Sequence, residues 1–565
     1  MTLPLRTCWA VQLGSRAGQS CWAVQLMVNL LLLPTFTLGA LQRAAPMGTW
    51  LGSTWQSTVV IDAGSTGSRI HIYQYKGSRA GLALVQQPVS SLKVTPGLSE
   101  YARQPENVGQ SLGPLLEYAY KQIPLHQHSL TEVHLFATAG FRVLAPRPAA
   151  ELINSCRAFL ATSHFKFQDE WAAVMSGPSE GVFGWVAANY ASGALQGYAL
   201  RQGLRLRKPG APSAPFVGVF ELGGASAQVT FRPDVPTKAA SNIQLLKLPN
   251  LQLPLYTHSF LGFGQEAALT LASTAAVSKM LQATTTTPSN TSEEARDPCL
   301  PVGYSRAAPS GTMVGSGNFD ECRAVAKALI AGQCQDELCP IGDSMPVELQ
   351  GPFIAMENFH YTAQFLGLPV QPTLEEIAEA GQHHCALAWP ALQQRHGTNV
   401  SAEHLLHFCF SAAYIVALLH DGFKLGMQER RLRFTNYVED PQGNSMDIDW
   451  TLGAVVVQTA LMQSPASDRR SFLQPYDHSL HSRNSFCEHS LAVVLLVGFV
   501  AALAVRLAGR SRWLRRMLRK HAGGTQALVM FERNKFPEDA GLSALQTTCQ
   551  HFTDIKLKRS SPRYA

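Results

Sequence analysis

One motif, present twice, constrains this chain more than any other feature. Residues 57–74 (STVVIDAGSTGSRIHIYQ) read as a strand, a tight Gly/Ser turn and a second, alternating strand. Residues 216–231 (FVGVFELGGASAQVTF) repeat the plan: a strand ending in an acid, a small-residue turn, then another strand. Aligned on the turns, I-D-A-G-S-T-G-S from Ile61 meets F-E-L-G-G-A-S-A from Phe220. Two such hairpins, about 160 residues apart, predict two similar lobes that present their turns to a shared cleft.

The tips also predict chemistry. Gly64, Ser65, Thr66 and Gly67 form one turn, and Gly223, Gly224, Ala225 and Ser226 the other. Small residues let backbone N–H groups approach an anion closely, so both turns suit phosphate oxygens. An acid beside each turn would repel phosphate by itself. Asp62 and Glu221 therefore imply a divalent cation, Ca²⁺ or Mg²⁺, between them and the phosphates. The sequence has no GxxxxGK[ST] loop, no GxGxxG after a strand, and no HRD or DFG signature, so any nucleotide is held by another architecture.

Between the hairpins the elements alternate. Asn107–Gln122 has helical spacing, residues 133–140 (VHLFATAG) form a strand running into a turn, and Ala149–Ala161 reads as a helix. The alternation predicts an α/β fold. Residues 283–298 (ATTTTPSNTSEEARDP) read as a polar surface loop. Ala402–Leu419 is a strongly apolar helix, but Glu403 and several His make one end too polar for a membrane span. The organisation expected is 1–55 as signal and linker, 56–170 as the first part of lobe I, 171–440 as lobe II and 441–463 as a return to lobe I. A linker (464–489), a span (490–509) and a basic tail (510–565) follow.

The chain ends set a topology. Leu491–Val505 is an unbroken apolar run, and it reaches spanning length on counting to Gly509 with Arg506 snorkelling. The formal net charge is +7, yet residues 506–520 alone hold seven basic residues and no acid, leaving 39 basic against 39 acidic elsewhere. The positive charge thus marks a cytosolic flank, not a nucleic-acid-binding face. A second apolar run, Cys21–Ala40, is a cleaved signal peptide or an uncleaved anchor. The intervening region then lies in the lumen, in the Golgi or another endomembrane compartment, or outside the cell. Two glycosylation sequons, at Asn290 and Asn399, fall within it. So do six clustered cysteines, whose order suggests the nearest-neighbour pairs Cys299–Cys322, Cys334–Cys339 and Cys385–Cys409 in an oxidising compartment. No feature fixes the oligomeric state.

Five segments, taken together, carry a resemblance. IDAGSTGSR (61–69), FATAGFR (136–142), SGPSEGVFGWVAANY (176–190), ELGGASAQVTF (221–231) and DIDWTLGA (447–454) resemble, in order, the five conserved regions of the apyrase, or nucleoside triphosphate diphosphohydrolase, family. LKVTPGLSEYA, FQDEWAAVMSG, THSFLGFGQEAAL and CFSAAYIVALLHD look like plant membrane-bound apyrases in particular. The resemblance implies an actin/hexokinase-like fold of two RNase H-like lobes, and divalent-dependent hydrolysis of nucleoside tri- or diphosphates to the monophosphate. Glu180 matches the family's catalytic glutamate, which activates water without a covalent intermediate. Ser226 and Gln228 match positions that orient that water, and Thr138, Ala139 and Gly140 match a third turn facing the phosphates.

Arg69 and Arg142 are open between phosphate contacts and ion pairs within a lobe. Trp450 reads as packing, and Tyr361 falls where relatives stack an aromatic ring on the nucleobase. Glu221 replaces the usual Asp and would reach the cation through water, and His360 replaces a usual Tyr, which weakens inference about the base. The alternative is a catalytically weak binding or adhesion ectodomain of the same fold.

Overall fold

The computed structural model describes residues 54–475, apart from 79–81, 87–89, 204–215, 235–241, 250, 287–294, 309–310, 335–340, 342–347, 398 and 463–471. The first sheet comprises β1 (Gln56–Ala63), β2 (Ser68–Lys76), β3 (Leu84–Val85), β4 (Ser90–Val94), β5 (Glu132–Ala137) and β6 (Ala172–Val174), in the order β3-β2-β1-β5-β6 with β4 also on β2. The second contains β7 (Gly218–Leu222), β8 (Ser226–Phe231), β9 (Ile243–Leu248) and β10 (Leu251–Leu261). It is completed by strands Phe353–Glu357, Leu432–Phe434 and Leu473–Pro475.

The predicted repeat extends well beyond the hairpins. β1 runs antiparallel to β2 and parallel to β5, β5 is parallel to β6, and β2 is antiparallel to β4. β7 likewise runs antiparallel to β8 and parallel to Phe353–Glu357, which is parallel to Leu432–Phe434, while β8 is antiparallel to β10. One five-strand plan is used twice. Val59, Val60 and Ile61 of β1 are fully buried, the unbroken apolar signature of a strand covered on both faces.

Two helices fill the space between the sheets: Gly177–Ala191 and Trp450–Met462. Both are apolar nearly all round because each is enclosed. Val182, Val186, Val455 and Val456 pack in one core with Val60 and Tyr73 of the first sheet and with Leu246, Ile354 and Met356 of the second. Full burial of each such side chain contributes about 1.5–3 kcal/mol. Gly109–Gln122 and Pro146–Ala161 cover the outer face of the first sheet, where Leu112 and Leu152 meet Ile61 and Ile70. Phe319–Gln333, Leu374–Cys385 and Ala402–Val416 cover the second sheet, with Phe319, Ile377 and Phe410 against Phe220 and Phe353.

Ala402–Gly422 is long and apolar enough to cross a membrane, but it is mostly buried within the second core and is therefore a core helix. The 283–298 loop needs correction at both ends. A helix, Gln265–Thr286, enters it and a strand, Ala295–Asp297, leaves it. The first predicted helix starts at Gly109, after a 3₁₀ turn at Pro105–Val108, and the next starts at Pro146, since proline is tolerated in a first turn. Cys299–Cys322 and Cys385–Cys409 are bonded, and Asn399 is exposed. Cys339, Asn290 and both terminal apolar runs lie outside the described residues.

Candidate active site

Register makes the two loops the same length. Ala63 pairs with Ser68 and Leu222 with Ala227, so residues 64–67 and 223–226 are equivalent four-residue turns. They meet across the cleft. A Cβ at Gly224 would stand 2.6 Å from Ser65 Oγ and 3.1 Å from Thr66 Cγ2, so a side chain there would force the facing loop to shift. A cavity of ≈ 240 Å³ opens between them. It brings together Gly64, Ser65, Thr66, Gly67, Thr138, Ala139, Gly223, Gly224, Ala225 and Ser226 with Asp62, Glu180, Glu221 and Tyr361.

Glu180 sits in the first turn of helix Gly177–Ala191, whose start is fixed by Ser176 Oγ accepting from Ser179 N at 3.2 Å. It is a buried carboxylate, only 6% exposed, not a solvated helix-start acid. Arg142 Nη2 donates to Glu180 Oε2 at 2.7 Å, and Gln228 Nε2 donates to the same oxygen at 3.0 Å. Both donors also reach Ser226 Oγ, Arg142 at 3.2 Å and Gln228 at 2.6 Å. Arg142, left open by the sequence, is thus the partner of Glu180, and Gln228 stands behind the cavity wall as its second donor. Burial raises Glu180 above the usual carboxylate range, and the Arg142 charge and the two hydrogen bonds oppose that rise.

Cross-strand pairing lines each flank with a row of three side chains. On the first sheet Asp62 is opposite Arg69, and Arg69 is opposite Lys93. At the equivalent positions of the second sheet, Glu221 is opposite Gln228, and Gln228 is opposite Ser259. Directly paired residues share a face of the sheet, so each row is continuous. One flank reads acid, cation, cation; the other reads acid, amide, hydroxyl.

Burial, and then the Glu180 charge, hold both Asp62 and Glu221 well above the ordinary carboxylate range. Asp62 Oδ1 and Glu221 Oε2 are buried without a hydrogen-bond partner. Such orphaned anionic oxygens fit a cation. Among the described residues no three His, Cys, Asp or Glu side chains converge to cage a bare ion, so water and phosphate oxygens would complete its shell.

Several wall residues escaped sequence reasoning: His71, Lys93, Glu357, Asn358 and Asp449. Asp449 Oδ1 accepts from Thr451 N at 2.7 Å and Leu452 N at 3.2 Å, capping helix Trp450–Met462, while its Oδ2 lies 3.6 Å from His71 Nε2. Burial pushes Asp449 up, but His71 and these hydrogen bonds prevail and leave it below the usual range. The cap position in DIDW was the available signal. Glu357 has φ +57°, an uncommon conformation for a non-glycine residue, and its N–H donates to Asn436 Oδ1 at 2.8 Å. Trp450 packs edge-on against Phe136, 5.9 Å between centroids, and also edges the cavity. Tyr361 is 43% exposed at the rim.

The chain is similar to known proteins along most of this region. It is 34% identical to "Probable apyrase 4" of Arabidopsis thaliana over 71% of this chain and 79% of the relative. It is 29% identical to "Ectonucleoside triphosphate diphosphohydrolase 8" of Gallus gallus over 72% and 84%. Among solved structures, a nucleoside triphosphate hydrolase from Neospora caninum matches with TM-score 0.50 at 14% identity, covering 80% of this chain and 98% of that one. That likeness is one of fold, the two-lobed actin/hexokinase-like α/β architecture. The model of the GDA1/CD39 (nucleoside phosphatase) family matches residues 54–472, which include both loops and Glu180. This chain therefore belongs to the GDA1/CD39 nucleoside phosphatase family and is a hydrolase of the apyrase type.

Proposed function

We propose that this protein removes the terminal phosphate from nucleoside tri- and diphosphates, with Ca²⁺ or Mg²⁺, using water activated by Glu180 and no covalent intermediate. The observation that carries the reading is a buried carboxylate, held by Arg142 and Gln228, beside two opposed small-residue loops. The loop N–H groups grip the terminal phosphate and stabilise the charge that builds on it. Ser226 and Gln228 orient the water. Its oxygen bonds to phosphorus as the bond to the leaving oxygen breaks, and its proton passes to Glu180. A divalent cation near Asp62 and Glu221 would neutralise phosphate charge. Tyr361 would stack on the base. A diphosphate shifted inward by one position repeats the cycle.

A membrane anchor at residues 490–509, with the Arg-rich flank in the cytosol, would put the hydrolase on the lumenal or extracellular side. The Cys299–Cys322 and Cys385–Cys409 bonds support an oxidising compartment. Phosphate release from ATP, ADP, GDP and UDP, with Ca²⁺ or EDTA, tests the reading in wild type and Glu180→Gln. Loss of a general base lowers kcat by about 10²–10⁴-fold. Equal rates in the two proteins contradict the mechanism, and a divalent-independent rate contradicts the cation. A tail protected from protease in sealed vesicles contradicts the topology.

A further inference from the structure

The first sheet has two ends with different surfaces. β1, β5 and β6 run parallel, and the turns that line the cleft follow the C-terminal ends of β1 and β5. At the N-terminal ends, large apolar side chains face solvent. Leu125 and Leu130, on the 3₁₀ turn that leads into β5, are 79% and 75% exposed, more than any other large apolar side chain among the described residues. Trp55 precedes β1 and is 40% exposed, and Leu84 of β3 is 45% exposed. Single apolar side chains at a surface are ordinary, but four at one end of a sheet mark an interaction surface.

Pairing and contacts link these residues. Ser57 Oγ donates to Gln127 Oε1 at 3.4 Å, tying the 3₁₀ turn to the start of β1. Leu84 pairs directly with Lys76, whose Nζ lies 4.6 Å from the centroid of the Trp55 ring. A second such stack, Lys166 over Trp171 at 5.3 Å, stands at the start of β6, the neighbour of β5. Tryptophan and lysine belong to the membrane–water interface, where the ring or stem meets hydrocarbon and the polar end meets headgroups. Charge at this end is nearly balanced, with Lys76, Lys121, Arg157 and Lys166 against Glu132, Asp169 and Glu170. The surface therefore suits a zwitterionic leaflet, held by apolar insertion and not by charge.

The chain itself points to the occupant. Thirteen residues, 41–53, separate the apolar run Cys21–Ala40 from the first described residue, Thr54. Fully extended they reach at most about 45 Å, so with that run in the bilayer the N-terminal end of β1 stays near the headgroups. We propose that Trp55, Leu84, Leu125 and Leu130 seat the first lobe on the lumenal or extracellular leaflet of a phosphatidylcholine bilayer. The inference rests on the membrane anchoring proposed above and adds the face by which the hydrolase lies on the membrane. β1 is eight residues long, so the seat and the cleft turns are about 25 Å apart along it. The cleft then opens away from the lipid, and nucleotide enters from the aqueous side.

The test is photo-crosslinking of full-length protein reconstituted in phosphatidylcholine vesicles, with a diazirine amino acid placed at Leu125, Leu130, Val143 or Phe499. Phe499 lies in the C-terminal apolar run and reports the anchor. Val143, 58% exposed just after the third cleft turn, reports the opposite end of the sheet. Mass spectrometry of the illuminated protein measures the lipid adduct at each site. The sites at Leu125 and Leu130 should give about 10-fold or more lipid adduct than the site at Val143, the partition factor of one buried leucine. These three side chains are exposed, so melting midpoints should match wild type. Equal adduct at Val143, or none at Leu125 and Leu130, overturns the inference. Adducts joining two copies of the chain at Leu125 or Leu130 overturn it too, because a second copy then covers the surface. No lipid adduct at Phe499 contradicts the anchor alone, and the seat still stands or falls on Leu125 and Leu130.

Discussion

Arg142 donates to Glu180 at 2.7 Å, so the proposed base carries its own counter-ion inside the cleft. Burial raises Glu180 and Arg142 opposes that rise. The proposed reaction needs the charged carboxylate, so activity should fall as pH drops through its pKa. Arg142→Met removes the opposing charge and should move this acid limb upward, lowering kcat on the acid side of the profile. A pH–rate profile measures it, and an unmoved limb contradicts the assignment.

Glu221 is a buried acid with an orphaned oxygen, and the folded protein bears the cost of burying it without a ligand. Glu221→Gln should therefore leave the cation-free protein as stable as wild type or more so. It should also reduce the rise in melting temperature that Ca²⁺ or Mg²⁺ gives the wild type. Melts with and without EDTA decide this. An undiminished cation-induced rise would exclude Glu221 from the cation site.

The contact of Gly224 with Ser65 is tight enough that one methyl group should hold the loops apart. Gly224→Ala should cut kcat/KM for both tri- and diphosphates by at least about 10-fold, a loss of roughly 1.4 kcal/mol of transition-state stabilisation. Stability should change little, because the clash lies at the cleft surface. Kinetics beside a melting curve separate the two effects.

Acid stability depends on histidines outside the cavity wall. Burial, with help from His396 and His383, lowers His384 to about 4, and burial lowers His258 to about 4 as well. Both stay neutral in the folded protein while the unfolded chain binds protons below about pH 6.5. Their stabilising contribution is thus complete above that value and is lost as pH falls toward 4. His384→Phe, beside Phe365 at 5.2 Å, should narrow the gap in stability between pH 7 and pH 5. Denaturant unfolding at the two pH values is the check.

What the sequence made legible was periodic or local. The hairpin turns and the acids before them are encoded within a few residues, and the structure has both turns at those places. Lys93 and Glu357 were not legible because nothing near them in the chain marks them. Lys93 gains its position only by pairing with Arg69 across two strands, and Glu357 only through a backbone twist at a strand end. Arg142 stood in a recognised segment, yet its partner lies 38 residues away, and the ion pair depends on how two elements pack. The helix that overran the 283–298 loop shows the reverse error, polar composition taken for irregular backbone.

The matching sheets give the chain two halves built on one five-strand plan. Two identical copies of that plan would offer an anion identical flanks. Water could have arrived from either side, and the tail of the substrate could have left by either. In the present chain position 67 is Gly and position 226 is Ser; residue 69 is Arg and residue 228 is Gln. These few differences make the two flanks of the cleft chemically unlike, so that the proposed mechanism has water on the Gln228 side alone and the reaction a direction.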